Sequence, residues 1–194
     1  MYFLNFIQQP KILKMKILAF AGSSSNQSIN KRFAIYTGNL FEDKQLEILD
    51  LNDYELPLFS VDKEEEIGKP AIARTFLDKI DWADVLVLSV AEHNAGLTVA
   101  FKNIYDWASR QRVKVFDNKP MLLLSTSPGK GGGKNAVEAA QIIFKRYGGN
   151  VRATFSLPSF NDNFDIEAGK ISNKEHDDAL KDIIRNFDYG KEPS

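Results

Sequence analysis

The sequence predicts an α/β doubly wound parallel sheet of five strands with helices on both faces. Two observations carry that prediction. "ILAFA" (17–21), "DVLVLSV" (84–90) and the core of "KPMLLLSTS" (119–127) are apolar without alternation, the mark of strands buried on both faces. The segments between them have helical spacing, so strand and helix alternate about five times along the chain. A third observation fits: 194 residues without a cysteine suit one compact domain with a core large enough to need no disulfide.

The elements follow in order. "MKILAFAG" opens the fold as a strand ending at Gly22, and "SINKRFAIYTGNLF" places Ile29, Phe33, Tyr36 and Leu40 on one helical face. "QLEILDL" (45–51) alternates as a second strand, "AIARTFLDKIDWA" (71–83) is a helix, and "DVLVLSV" is the third strand. In "LTVAFKNIYDWASR" Phe101, Ile104, Tyr105 and Ala108 form an i, i+3, i+4, i+7 stripe. "KPMLLLSTS" is the fourth strand, "NAVEAAQIIFKRYGG" a helix with Gly148 at its C′ position, and "NVRATFSLP" the fifth strand. "KEHDDALKDIIRNFDYG" closes the chain with Leu180, Ile183, Ile184 and Phe187 facing inward. Residues 15–190 are expected to form one domain. Residues 1–14 are expected to be a poorly ordered extension, with Met15 available as an alternative start.

Composition narrows function. The 25 basic and 26 acidic residues leave a net charge of -1, which gives no electrostatic footprint for nucleic acid. The acidic run Glu64-Glu65-Glu66 reads as a solvated loop. No apolar stretch approaches the ~20 residues of a membrane span, and the start of the chain does not read as a signal peptide. The absence of cysteine excludes thiolate nucleophiles and thiolate metal sites. The cytoplasm is the expected compartment.

In a doubly wound sheet, ligands sit beyond the carboxyl ends of the strands, so three loops matter. "GSSSNQSINKR" (22–32) follows the first strand and opens a helix whose first amides are unpaired. It has neither the Walker pattern nor GxGxxG, and its hydroxyls suit a phosphate monoester. It also reads as a capped helix start, with Ser28 as N-cap and no ligand. "SVAEHNAGLTVAFKN" (89–103) places Glu92, His93 and Asn94 at the exit of the third strand, where they suit the edge of a heteroaromatic ring. The alternative is an ordinary polar loop. A metal at His93 is disfavoured because the one other histidine, His176, is remote in sequence. "STSPGKGGG" (125–133) combines Lys130 with Gly129, Gly131, Gly132 and Gly133, either to let a ligand touch the backbone or as a mobile surface loop. A shared ligand explains all three loops at once.

Together these stretches resemble the NADPH-dependent FMN reductase family of flavodoxin-like proteins, from Met15 to about Asn161. The family's GSxxxxSxN is matched by Gly22, Ser23, Ser28 and Asn30. Its PEYN loop and KNxxDW helix are matched by Glu92, Asn94, Lys102, Asn103, Asp106 and Trp107, with Ala91 in place of proline and His93 in place of tyrosine. The third loop is matched by Ser127, Pro128, Gly129, Gly131 and Gly132.

The resemblance implies an oxidoreductase. NADPH would supply hydride, and FMN would pass it to a small acceptor of the quinone, azo, nitro, metal-oxyanion or flavin class. It implies a phosphate cradle of Ser23, Ser25, Ser28, Ile29 and Asn30. The flavin ring would lie among Glu92, His93, Asn94, Ser127, Pro128, Gly129, Gly131 and Gly132, and the amides of residues 127–132 would stabilise charge on the reduced ring. No catalytic side chain and no metal ligand are assigned. The second substrate is expected to meet His93. Homodimers or homotetramers are implied too, with "ELPLFSVDKEEE" and the helix around Tyr105 and Trp107 as the expected surface. Replacing Ser28 and Asn30 together is expected to weaken FMN retention much more than fold stability. A flavodoxin-type electron carrier is the competing reading, disfavoured by the near-neutral charge. A receiver-type signalling domain is disfavoured by "AFAGSSS", which lacks the clustered aspartates that class needs.

Overall fold

The chain alternates strand and helix because its apolar residues alternate between two spacings. The computed structural model describes residues 14–189; apart from Lys14, the expected N-terminal extension lies outside them. Strand β1 (Met15–Gly22) leads through α1 (Ile29–Asn39) to β2 (Lys44–Leu49) and a short 3-10 turn (Leu51–Tyr54). Helices α2 (Val61–Ile67) and α3 (Ala71–Trp82) precede β3 (Val85–Val90). A two-residue ladder, β4 (Glu92–His93) with β5 (Gly96–Leu97), stands before α4 (Val99–Gln111). Then come β6 (Pro120–Thr126), α5 (Lys134–Arg146) and β7 (Asn150–Leu157). Helix α6 (Phe160–Asn163), the ladder of β8 (Phe164–Asp165) with β9 (Lys170–Ile171), and α7 (Lys174–Arg185) close the described residues.

The five long strands form one parallel sheet in the order β2-β1-β3-β6-β7. This is the predicted flavodoxin-like class. The period of two sorts each central strand onto two cores. Leu18, Phe20, Leu86, Leu88, Met121 and Leu123 pack against α3, α4 and α5. Ile17, Ala19, Val85, Val87, Leu122 and Leu124 pack against Phe33 of α1 and Leu180 and Ile184 of α7. Each fully buried Leu or Phe contributes about 1.5–3 kcal/mol, so this two-sided burial dominates the stability of the sheet.

Local chemistry sets the ends of the elements. Ser28 and Thr98 cap α1 and α4 by accepting the amides of Lys31 and Phe101, both at 3.1 Å. Gly148, at φ 76°, is the predicted C′ glycine of α5, and the Gly149 amide donates back to the Phe144 carbonyl at 2.7 Å.

Two expectations change. The second strand stops at Leu49, because the Asp50 carboxylate accepts the Asn52 amide at 3.1 Å and turns the chain into the 3-10 turn. The run Glu64-Glu65-Glu66 is helical, started by a Ser60 cap on the Lys63 amide at 3.0 Å. Glu64 pairs with Arg110 of α4 at 2.8 Å.

The segment before α2 is stapled to α4. Asn103 accepts the Phe59 amide at 2.9 Å and donates to the Leu56 and Pro57 carbonyls, and the Trp107 indole donates to Pro57 at 2.8 Å. The asparagine and tryptophan of KNxxDW therefore fix a loop. Trp107 is fully buried and Tyr105 nearly so, which removes both from the expected subunit surface.

Candidate functional site

The carboxyl ends of four adjacent strands are knitted together by buried side chains. The Gly22 carbonyl, ending β1, accepts from the Thr98 hydroxyl at 2.8 Å. Val90 of β3 accepts from Ser125 at 2.6 Å, and Leu157 of β7 from Thr126 at 2.8 Å. At the end of β6, the Asn30 carboxamide donates to the Thr126 carbonyl at 3.0 Å. Its oxygen accepts from the Thr126 amide at 3.0 Å and the Ser89 hydroxyl at 2.7 Å. These groups are almost wholly buried, so each bond satisfies a backbone or hydroxyl group that water cannot reach. The network holds the three loops at fixed positions relative to one another.

Asn30 has a structural role beside the expected one. Its carboxamide oxygen and one of its two N–H groups join α1 to β3 and β6, so replacing it must cost fold stability directly. What this turn offers a ligand most directly is the helix start itself. The amides of Ile29 and Asn30 lie in the first turn, where helical geometry gives them no intrahelical acceptor. No acidic residue occupies that turn. The Ser28 oxygen accepts from Lys31, which leaves its hydroxyl hydrogen to donate outward. The neighbouring cations are held elsewhere: Lys31 pairs with Asp50, and Arg32 donates to Gln27 at 3.0 Å. Hydrogen bonds from Lys31 and Asn52 outweigh the opposing effect of burial and hold the Asp50 carboxyl below its ordinary value.

The second loop is a tight hairpin. Asn94 and Ala95 take φ of 52° and 60°, the two positive values of a type I′ turn. Glu92 reaches sideways to α5, which has no side-chain cap of its own. Its carboxylate accepts the Ala136 amide at 3.1 Å and the Asn135 side chain at 3.2 Å. His93 remains exposed beside the serine loop.

In the third loop, two of the glycines answer to the protein's own packing. A Cβ on Gly132 would lie 3.0 Å from the Leu157 and Pro158 backbone, and one on Gly133 2.0 Å from the Ser125 hydroxyl. Gly132 also donates its amide to the Gly129 carbonyl at 3.2 Å, so that amide is not available to a ring. Gly131 faces open space.

A cavity of about 220 Å3 collects most of the predicted residues. Ser23, Ser25, Ser28, Ile29 and Asn30 form one wall, Glu92 and His93 a second, and Ser127 and Pro128 a third. Gln27, Ala91 and Thr126 complete the lining; Thr126 was missed because the last residue of a buried strand carries no sequence signal of its own. Asn94, Gly129, Gly131 and Gly132 lie outside the lining. A contiguous basin of about 300 Å3 shares Ser23, Ser25 and His93 and adds Ser24, Thr98, Val99 and Ala100. The donor set fits a phosphate monoester at the helix start, with space alongside for a flat ring.

A doubly wound sheet with a hydroxyl-lined helix start at its switch point defines a flavodoxin-like, nucleotide-binding class of protein. Comparison with known proteins makes that specific. Residues 15–162 match the family described as NADPH-dependent FMN reductase, and the chain belongs to it. It is 31% identical over 143 residues to an NADPH:quinone oxidoreductase of Arabidopsis thaliana, covering 72% of this chain and 71% of that one. It is 29% identical over 119 residues to an NAD(P)H-dependent FMN reductase of Pseudomonas aeruginosa, covering 61% and 63%. In structure it is similar to the flavoenzyme NAD(P)H:(acceptor) oxidoreductase FerB of Paracoccus denitrificans. That TM-score is 0.71, at 20% identity, over 89% of this chain and 94% of that one. The chain is thus an NAD(P)H-dependent, FMN-using oxidoreductase.

Proposed function

We propose that this protein reduces a small quinone-class acceptor, holding FMN across the cavity between the serine loop and the two loops beyond it. The observation that carries this reading is the start of α1. Unpaired amides, outward-facing hydroxyls and a first turn free of acid open into one cavity with His93 and Ser127. When bound, FMN would supply the two-electron chemistry that links a reduced nicotinamide to the acceptor.

The protein's own groups bind and orient. Ser23, Ser25, Ser28 and the Ile29 and Asn30 amides hold the phosphate, and Ser127 and Pro128 face the ring. The amides before Gly132 stabilise charge on it. Glu92 keeps the α5 start in register and His93 contacts the second substrate. The protein acts in the cytoplasm as a homodimer or homotetramer. Leu58 in the segment stapled to α4 and Val61 at the start of α2, 60% and 64% exposed, support a self-associating surface.

Purified protein, with and without added FMN, is examined for the flavin visible spectrum and then for steady nicotinamide oxidation with a quinone. Flavin retention with turnover is expected without any partner reductase. Flavin binding without turnover would point to an electron carrier, and no flavin affinity would refute the site.

A further inference from the structure

On the β2 side of the serine loop lies a third cavity, of about 310 Å3, between the 3-10 turn and the start of α4. It continues the other two. It shares Ser24 and Ala100 with the neighbouring basin, which in turn shares Ser23, Ser25 and His93 with the cavity at the α1 start. Three basins therefore run in series along the sheet's rim, following the order of β2, β1, β3 and β6. The outermost is at the small end of ligand sites, suited to a nucleoside-sized group and not to a whole dinucleotide.

The one charge that the described residues place in its lining is negative, among polar groups that include the Tyr54 phenol. Glu55 is the one charged side chain in its lining among the described residues; it is exposed and makes no ion pair or hydrogen bond there. Asn52 spends one side-chain N–H on Asp50 at 2.9 Å, which leaves its carbonyl oxygen and its second N–H for a ligand. Ser24 adds a hydroxyl, and Leu56 and Ala100 add apolar surface. The cations in this region are already paired, Lys31 with Asp50 and Lys79 with Glu47. Such a set accepts the two hydroxyls of a ribose and repels a dianionic phosphate placed on either of them.

We propose that this cavity holds the adenosine ribose of the nicotinamide dinucleotide, and that Glu55 selects the free 2′,3′-diol over the 2′-phosphate. The nicotinamide end would then lie in the middle basin beside His93, and NADH would be preferred to NADPH. The inference rests on the proposed reading that a reduced nicotinamide feeds this rim.

ADP-ribose and 2′-phospho-ADP-ribose are titrated calorimetrically into the FMN-supplemented protein, then into Glu55→Gln and Glu55→Arg. ADP-ribose is expected to bind the wild type at least about tenfold tighter. Glu55→Gln should bring the two ligands within about threefold, and Glu55→Arg should invert the order. The NADH to NADPH ratio of kcat/KM should move in parallel. A wild type that favours the 2′-phosphate, a ratio unchanged in both variants, or no binding of either ligand would overturn the assignment. The titration needs no turnover. A protein without flavin affinity therefore still reports the ratio, and loss of the FMN reading is distinguished by its visible spectrum.

Discussion

Asn30→Ala isolates the buried network beneath the site. The carboxamide, 3% exposed, satisfies both the amide and the carbonyl of Thr126 and the hydroxyl of Ser89. Its removal leaves two buried backbone groups of Thr126 without partners, each costing about 1–3 kcal/mol, while the Ser89 hydroxyl can rotate to another acceptor. The expected loss is about 2–6 kcal/mol. At roughly 2–4 °C per kcal/mol for a chain of this size, Tm should fall by about 4–24 °C. Exposed Ser25→Ala, one turn away, should change stability by no more than about 0.5 kcal/mol. Urea unfolding of the flavin-free protein measures both variants, the midpoint falling for Asn30→Ala with m unchanged. A flavin-free Asn30→Ala within about 1 kcal/mol of wild type would refute the claim that this side chain is a structural clamp.

Three further outcomes follow from the same geometry. Glu92→Ala removes the cap that α5 borrows from the neighbouring loop and should cost about 1 kcal/mol, read as a fall of a few degrees in Tm. Gly133→Ala places a methyl 2.0 Å from the Ser125 oxygen at a φ of 75°, and should cost about 3 kcal/mol or more. Adding Ser125→Ala should restore part of that loss, and a double variant no more stable than Gly133→Ala alone would show the clash is not the cause. Asp50 titrates below its ordinary value of 3.8, so its contribution is present above that pH and is lost as pH falls through the lower folded value. The wild type's advantage over Asp50→Asn at pH 7, below about 1 kcal/mol for so exposed a pair, should shrink by pH 3 in denaturant melts.

The sequence by itself determined the order of strands and helices, the parallel sheet and the three loops at its rim. Unbroken apolar runs and 3.6-residue stripes are local signals, and β1, β3, α4 and α5 fall where those signals place them. It also fixed Ser28 as a cap and Gly148 as a C′ residue, because both effects act within one helical turn. What polar side chains reach across the fold was decided by the tertiary structure alone. The sequence marks Asn30 as a cavity residue, and the tertiary structure adds that its side chain clamps Thr126, 96 residues away along the chain. Glu92 lines the same cavity, and the tertiary structure adds that its carboxylate caps the start of α5. The glycines of residues 129–133 raised the question of what comes so close to the backbone. For Gly132 it is the end of β7, and for Gly133 it is Ser125. Sequence records which groups can form hydrogen bonds, whereas the pairing is set by burial, which obliges each group beyond the reach of water to find the nearest partner the fold supplies.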